Sequence, residues 1–289
     1  MTPASTTDFA DTAISSALPT VSPEAVCARL EEAALNATAV REQVLHDGWL
    51  VRGAPGPFRR MRCVNVIGAS AGSLDRRLRF AQAWFAERRL PFEFRLTSIC
   101  PDETLDGALA DRGFAAESET RVMAMSLTAP SADTVLNSVG RPFADARIES
   151  LDAPAFAAAA GDMRGSSAAD IAAHAGRLAG LAVAIDMIVL RDDVDRVIAC
   201  GMAAREDDLV GIFDVVTHHA HRRQGAARRI VTALLSAARS RGAVRAYLQV
   251  EPGNAPARAL YADYGFVDMY AYWYRSLRQA NGTAPTAAP

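Results

Sequence analysis

The stretch from Val215 to Ala227 constrains the fold of this chain more than any other part of the sequence. It begins at the end of the apolar run 209–216. It then joins a basic turn, His221-Arg222-Arg223, to three small residues that open a helix. In that helix, apolar residues recur at intervals of three and four up to Ala238, which is typical of an amphipathic α-helix. A second apolar run, 246–250, follows it. This order predicts a βαβ crossover, with a ligand crevice at the carboxyl ends of the strands.

The basic turn is suited to binding phosphate. The first turn of a helix has unpaired N–H groups and a partial positive charge, and small residues let an anion approach the backbone. Gly225 and the two alanines after it provide that approach, and Arg222 and Arg223 can add charge-assisted hydrogen bonds. Considered alone, the same charges are explained equally well by a solvated loop.

The rest of the second half alternates short strands and helices. Residues 154–181 are rich in alanine and helical in composition, with Gly161 and Gly165 as breakers. Three apolar runs separated by polar turns, at 184–190, 197–204 and 209–216, predict an antiparallel meander. The remaining predicted elements are a strand at 147–151, a helix from its N-cap Asn254 to Tyr264, and a strand at 266–274.

Two motifs in this half resemble those of one enzyme family. Arg222-x-x-Gly225-x-Ala227 resembles the (Arg/Gln)-x-x-Gly-x-(Gly/Ala) signature with which GNAT N-acetyltransferases bind the pyrophosphate of coenzyme A. The segment from Asn254 to Phe266 resembles the family's N-x-x-A-x-x-L-Y-x-x-x-G-F helix. The motifs occur in the family's order, with room for one helix and one strand between them. The resemblance, from about Ala146 to Leu277, implies an acyltransferase with acetyl-CoA as cosubstrate.

The resemblance also implies roles for individual residues. The backbone N–H groups of the basic turn would hold the pyrophosphate, the strand before it would pair with the pantetheine arm, and Asn254 would touch the cofactor across the crevice. Tyr261 matches the tyrosine that protonates the departing thiolate, although a core aromatic also fits its position. Tyr264 is expected to pack. The predicted cofactor-binding residues are Val215, Val216, Thr217, Arg222, Arg223, Gln224, Gly225, Ala226, Ala227 and Asn254.

A general base is harder to assign. Acetyl transfer requires a neutral amine, and GNAT enzymes often use a glutamate or a water-relayed carboxylate on the central strands. Asp214, in the strand before the turn, and Glu251, at the end of the next strand, are the candidates beside Tyr261. Each can face the crevice or point to solvent as a surface charge, and the sequence alone favours solvent for both.

The first half resembles a degenerate copy of the second. Residues 106–114 are similar to 260–266, and Phe114 corresponds to Phe266 at a separation of 152 positions, which indicates an internal repeat. At the phosphate position, residues 68–75 contain no lysine or arginine and end on Asp75, and Leu109 replaces the tyrosine. Residues 58–66 are expected to form a strand that presents Arg60 and Arg62 to an acidic substrate or to water.

The predicted fold is α/β (α+β), with two tandem GNAT-like domains that each contain a mixed, mostly antiparallel sheet flanked by helices. The inert copy would cover the crevice and select the acceptor. The predicted segments are a disordered tail at 1–22, a degenerate domain at 23–128, a linker at 129–144, a catalytic domain at 145–278 and a second tail at 279–289.

Composition limits the partners. The net charge of −2 disfavours nucleic acid, no apolar run can span a bilayer, and the four scattered cysteines do not suggest zinc. His218, His219 and His221 have no carboxylate or cysteine at ligand spacing, so no metal is assigned. We expect a cytoplasmic monomer or homodimer that transfers acetyl to a primary amine of a small molecule by direct transfer in a ternary complex. The alternative is an acyl-CoA-binding regulatory module without turnover.

Overall fold

The structure, a computed structural model, describes residues 22–56, 58–137 and 146–277. The tails predicted at 1–22 and 279–289 lie outside these residues except for Ser22, and so does the part of the predicted linker at 138–144. Ser22 caps the first helix by accepting a hydrogen bond from the N–H of Ala25 at 3.2 Å.

The described residues form eight α-helices and eleven strands. The helices are α1 (Pro23–Ala37), α2 (Leu74–Glu87), α3 (Leu105–Ala110), α4 (Pro130–Asn137), α5 (Ala153–Arg164), α6 (Ala168–Ala179), α7 (Ala226–Ser240) and α8 (Ala255–Tyr264). The strands are β1 (Glu42–His46), β2 (Trp49–Gly53), β3 (Val64–Val66), β4 (Glu93–Thr97), β5 (Phe114–Ser126), β6 (Arg147–Ser150), β7 (Ala184–Arg191), β8 (Val197–Glu206), β9 (Leu209–Thr217), β10 (Arg245–Val250) and β11 (Val267–Leu277).

The predicted meander and crossover are confirmed. β6 to β9 pair antiparallel in chain order, and β9 and β10 pair in parallel on either side of α7. The apolar stripe of α7, which includes Ile230 and Leu234, is buried against the sheet, and burial of each such side chain stabilises the fold by about 1.5–3 kcal/mol. Gly201 of β8 allows this approach, because a Cβ there would lie 2.5 Å from Ile230 Cγ2.

The internal repeat is visible in the topology. β1–β2 and β2–β3 are antiparallel and β3–β4 is parallel, which is the pattern of β7–β8, β8–β9 and β9–β10. α2 and α7 begin at Leu74 and Ala226, again 152 positions apart. The order of strands and α-helices from β1 to β5 is therefore the same as that from β7 to β11, as the resemblance implied.

The two halves share one sheet and exchange their last strands. The sheet order is β1-β2-β3-β4-β11-β5-β10-β9-β8-β7-β6. β5, from the first half, pairs with β10 of the second, and β11, from the second half, pairs with β4 of the first. β5 and β11 pair with each other at the centre of the sheet. The division at 23–128 and 145–278 stays a prediction, and three pairs of neighbouring strands in the sheet join one half to the other.

One local expectation was wrong, and part of the predicted linker is helical. Residues 58–66 do not form one strand, because a 3₁₀ turn at Arg59–Met61 interrupts the backbone and only β3 pairs in the sheet. Residues 130–137, within the predicted linker, form α4, whose Ala132 and Leu136 are buried in the core of the second half. In the described part of the chain, no helix is both long and apolar enough to cross a membrane.

Candidate active site

A crevice opens in the sheet where β9 and β10 separate. Their parallel pairing ends at Ile212 and Leu248, after which β9 and the end of β10 have no pairing with each other. The residues after the separation, among them Val215, Gln249 and Val250, line a cavity of about 500 Å³. We call it the active-site cavity.

A β-bulge lies on the β9 side of this cavity. Cys200 opposes Val216 and Met202 opposes Phe213, so Asp214 and Val215 together face the single residue Gly201. Asp214 has a positive φ of 51°, which is uncommon for a residue other than glycine. The bulge takes this part of the strand out of the regular ladder, and Asp214 and Val215 both line the cavity.

The basic turn leads into an uncapped helix. Gly225, the N-cap of α7, is left-handed with φ 92°, and no side chain in the described part of the chain caps the helix start. Arg223 is also left-handed, with φ 60°, and Arg222 and Arg223 are exposed. The turn therefore presents unpaired N–H groups and two guanidinium groups at a helix N-terminus, an arrangement that fits a diphosphate.

The equivalent turn in the first half is filled by the chain itself. Asp47 Oδ1 accepts a hydrogen bond from Ala71 N–H at 3.0 Å, and Oδ2 accepts one from Gly72 N–H at 2.9 Å. The first of these bonds is the main reason that the pKa of Asp47 lies below its usual value. Ser73 also caps α2 by accepting from Arg76 N–H. The Asp47 carboxylate binds the backbone N–H groups that an external anion would otherwise bind.

Tyr261 lines the active-site cavity from α8. Its side chain is largely buried beside Phe266, and its hydroxyl has no hydrogen-bond partner among the described residues. Burial, with a smaller effect of Tyr264, raises the pKa of Tyr261 to about 12. The phenol is therefore protonated at neutral pH. Tyr264 packs as expected: its hydroxyl donates to Arg228 O at 2.8 Å and bonds Thr232 Oγ1 at 2.5 Å.

Asp214 lies in the cavity wall and is not the solvated charge that the sequence favoured. Its side chain is 15% exposed and accepts hydrogen bonds from Arg164 Nη2 at 2.8 Å and His174 Nε2 at 3.0 Å. Arg177 Nη2 lies 3.9 Å away. Burial raises the pKa of Asp214, but the hydrogen bond from His174 and the nearby arginines lower it by a larger amount. The pKa of Asp214 therefore lies well below its usual range. An acid held ionised in this way is a weak proton acceptor.

Glu251 and Asn254 border the same cavity. Glu251 directly follows β10 and is exposed, as the sequence favoured. Asn254 caps α8 as predicted, accepting from Ala257 N–H at 3.2 Å. The described residues contain no group of three or more His, Cys, Asp or Glu able to hold a metal ion.

Comparison with known proteins agrees with this geometry. The model of the family described as probable histone acetyltransferase Rv0428c C-terminal matches residues 25–275. The chain belongs to this family. It is a GNAT acyltransferase, and the match spans both halves, including the degenerate one.

Solved structures support the fold of this acyltransferase. A GCN5-related N-acetyltransferase from Kribbella flavida is similar with a TM-score of 0.62 and 18% identity, over 88% of this chain and 96% of the other. A tandem GNAT protein from the clavulanic acid biosynthesis pathway has a TM-score of 0.57 and 13% identity, over 76% of each chain. A GCN5-related N-acetyltransferase from Sphaerobacter thermophilus has a TM-score of 0.57 and 15% identity, over 76% of this chain and 74% of the other. No curated protein matches the chain.

Some residues of the acyltransferase cavity could not be found from sequence. Arg164 and Arg177 belong to the alanine-rich α5 and α6, where their charges suggest only a solvated helix face. Arg60 and Arg62 were both expected to face an acidic substrate or water; Arg60 lines the cavity, whereas Arg62 pairs with Glu93. A second cavity of about 530 Å³, between β2 and α6, shares Phe58, Met61 and Arg177 with the first.

Proposed function

We propose that this protein is an acetyl-CoA-dependent N-acetyltransferase that acetylates a primary amine of a small molecule by direct transfer in a ternary complex. The observation that carries the proposal is the uncapped, doubly left-handed turn before α7, which follows β9, the strand whose Val215 lines the cavity together with Tyr261. Bound acetyl-CoA would supply the acetyl group as a thioester. Acetyl-CoA use, the acceptor and cytoplasmic location are proposals, as is a monomeric or homodimeric state.

The turn would hold the cofactor as the family motif implies. The N–H groups from Arg223 to Ala227, with Arg222 and Gln224 at the surface, suit the pyrophosphate because they offer donors to a dianion. The strand from Val215 to Thr217 has no β10 partner and can pair with the pantetheine arm. Asn254 is available from the opposite side of the crevice.

Proton movements are assigned to two residues. Tyr261 would donate its phenolic proton to the departing sulfur, because it lines the cavity and its phenol is protonated at neutral pH. Glu251 would take the proton from the incoming ammonium, directly or through water, since Arg164 and Arg177 hold Asp214 ionised and make it a weak proton acceptor. The bulged backbone of Asp214 and Val215 would donate to the developing oxyanion.

A small acceptor fits the charges of the cavity better than a basic polypeptide. The family name refers to histones, whose tails are rich in lysine and would need an acidic groove. The lining here contains Arg60, Arg164 and Arg177. A cationic peptide is therefore disfavoured relative to a small molecule.

Release of free CoA tests the proposal. Purified protein with acetyl-CoA and a panel of primary amines should liberate thiol at a rate that depends on the amine, and mass spectrometry should find one added acetyl group per product. A histone tail peptide serves as the comparison. Acetyl-CoA binding without thiol release from any amine would instead support the acyl-CoA-binding regulatory module.

A further inference from the structure

The active-site cavity contains more positive than negative charge. Its charged lining among the described residues consists of Arg60, Arg164, Arg177, Asp214 and Glu251. Glu251 is exposed to solvent, whereas the Asp214 side chain is 15% exposed. One shielded carboxylate therefore faces three guanidinium groups.

Asp214 cannot balance these charges alone. It already accepts hydrogen bonds from Arg164 and His174, and Arg177 lies at the longer distance of 3.9 Å. Burial lowers the pKa of Arg177, Asp214 opposes this effect, and the positive charges of Arg60 and Arg164 add to the lowering. The Nη1 atom of Arg177 is buried without a hydrogen-bond partner among the described residues. This end of the cavity lacks an acceptor.

Arg60 has no partner of its own. Arg59 pairs with Glu93 and Glu117, and Arg62 pairs with Glu93. The side chain of Arg60 has no ion pair or hydrogen bond with any residue in the described part of the chain, and it is half-buried in the cavity lining. Of three arginines in one short turn, this one faces the cavity.

We propose that Arg60 and Arg177 bind an anionic group of the acceptor, so that the substrate is a primary amine that also carries a carboxylate or a phosphate. This inference depends on the proposed acetyltransferase function. Two guanidinium groups near one buried carboxylate are suited to such groups, because each can make paired hydrogen bonds to oxygen atoms of an anion. Arg60 belongs to the degenerate half, which thereby takes part in selecting the acceptor.

Thermal stabilisation by paired amines tests the inference without requiring turnover. The probes are β-alanine with propylamine, for a carboxylate, and phosphoethanolamine with ethanolamine, for a phosphate, each in the presence of CoA. In the natural protein, the anionic member of at least one pair should raise the melting temperature and its neutral partner should not, because a ligand that binds only the folded state stabilises it. The pair that responds identifies the anion.

Substitution of Arg60 then locates the binding site. Arg60→Gln should weaken binding of the anionic amine by about 10- to 100-fold, the usual effect of losing a charge-assisted hydrogen bond. Arg60→Lys should restore part of the affinity and shows that a folded variant can respond. The matched control is Arg121→Gln on β5, whose arginine pairs with Glu119 outside the cavity and should leave binding unchanged.

The outcomes separate this inference from the proposed function. Equal shifts within both pairs, no shift with either anionic amine, or an unchanged preference in Arg60→Gln would overturn it. A charge preference that depends on Arg60, without thiol release, would retain the anion site and reject the transferase function. Thiol release with neutral and anionic amines alike would support the transferase function and reject the anion site.

Discussion

At the scale of single residues, Tyr261 and Tyr264 lie one turn apart on α8 and differ in what their hydroxyl groups contact. Tyr261 has no hydrogen-bond partner among the described residues, whereas Tyr264 bonds Thr232 and the carbonyl of Arg228. Tyr261→Phe should reduce kcat by about 10²- to 10⁴-fold, the usual contribution of a general acid. Its stability should change by less than about 0.5 kcal/mol.

Tyr264→Phe is the matched control for that variant. It should lower the free energy of unfolding by about 1–3 kcal/mol, because Thr232 and Arg228 O lose a buried partner, while kcat stays near the natural value. Denaturant unfolding and steady-state kinetics measure both quantities. Natural turnover in Tyr261→Phe would remove that residue from the mechanism.

The environment of Asp214 predicts how stability depends on pH. Its pKa is lower in the folded chain than in the unfolded one, so the ionised side chain stabilises the fold above the unfolded value, about 3.9. This stabilisation is lost as the pH falls through the folded pKa. Asp214→Asn should therefore unfold less steeply with acid than the natural protein.

The same variant distinguishes a structural charge from a general base. At pH 7, Asp214→Asn should lose about 3–5 kcal/mol of stability, because Arg164 and Arg177 keep their charges without a carboxylate partner and His174 loses its carboxylate acceptor. Chemical denaturation at several pH values measures this loss. Unchanged stability with a fall in kcat of about 10²-fold or more would contradict our account and identify Asp214 as the base.

At the scale of elements, α7 offers an internal control for the phosphate turn. Gly225 before the helix and Gly242 after it are both left-handed, with φ of 92° and 95°. Replacing either by alanine should cost about 1–2 kcal/mol of stability. Gly225→Ala alone should weaken acetyl-CoA binding, by roughly tenfold, because its Cβ obstructs the approach of an anion to the backbone. Equal affinities in the two variants would argue against this turn as the cofactor site.

The sequence predicted the secondary-structure elements better than it predicted the contacts between them. In the second half, predicted strands and helices agree with the observed ones to within a few residues, because periodicity and caps such as Asn254 are local signals. The 3₁₀ turn at Arg59–Met61 was missed since alternating residues in a short segment also suit a strand. Asp47 was missed because its role depends on a contact with residues 24 and 25 positions away.

At the scale of the whole molecule, the exchange of β5 and β11 makes the halves interdependent. β5 pairs with β10 and β11 pairs with β4 although the partners lie in different halves of the sequence, and local patterns do not reveal such long-range pairing. A fragment that lacks the residues before 141 would expose the edge of β10 and leave β11 without β4 and β5. Removal of the first half therefore does not isolate its effect on acceptor choice.

Cleavage between the halves is a more direct test of the exchange. A protease site placed between Asn137 and Ala146 should yield two pieces that co-elute on gel filtration, because β5 and β11 each pair across the cut. The nicked protein should still bind acetyl-CoA. The control is the same insertion without protease. Separation into two folded bodies would contradict the shared sheet.

The most direct test of the central claim is calorimetric titration with acetyl-CoA of the natural protein and of an Arg222→Glu/Gly225→Glu variant. We predict one site per chain, since Asp47 fills the equivalent turn of the first half, and loss of that site in the variant with its fold retained. No binding by the natural protein, two sites per chain, or full affinity in the variant would contradict the assignment of the cofactor to the turn before α7.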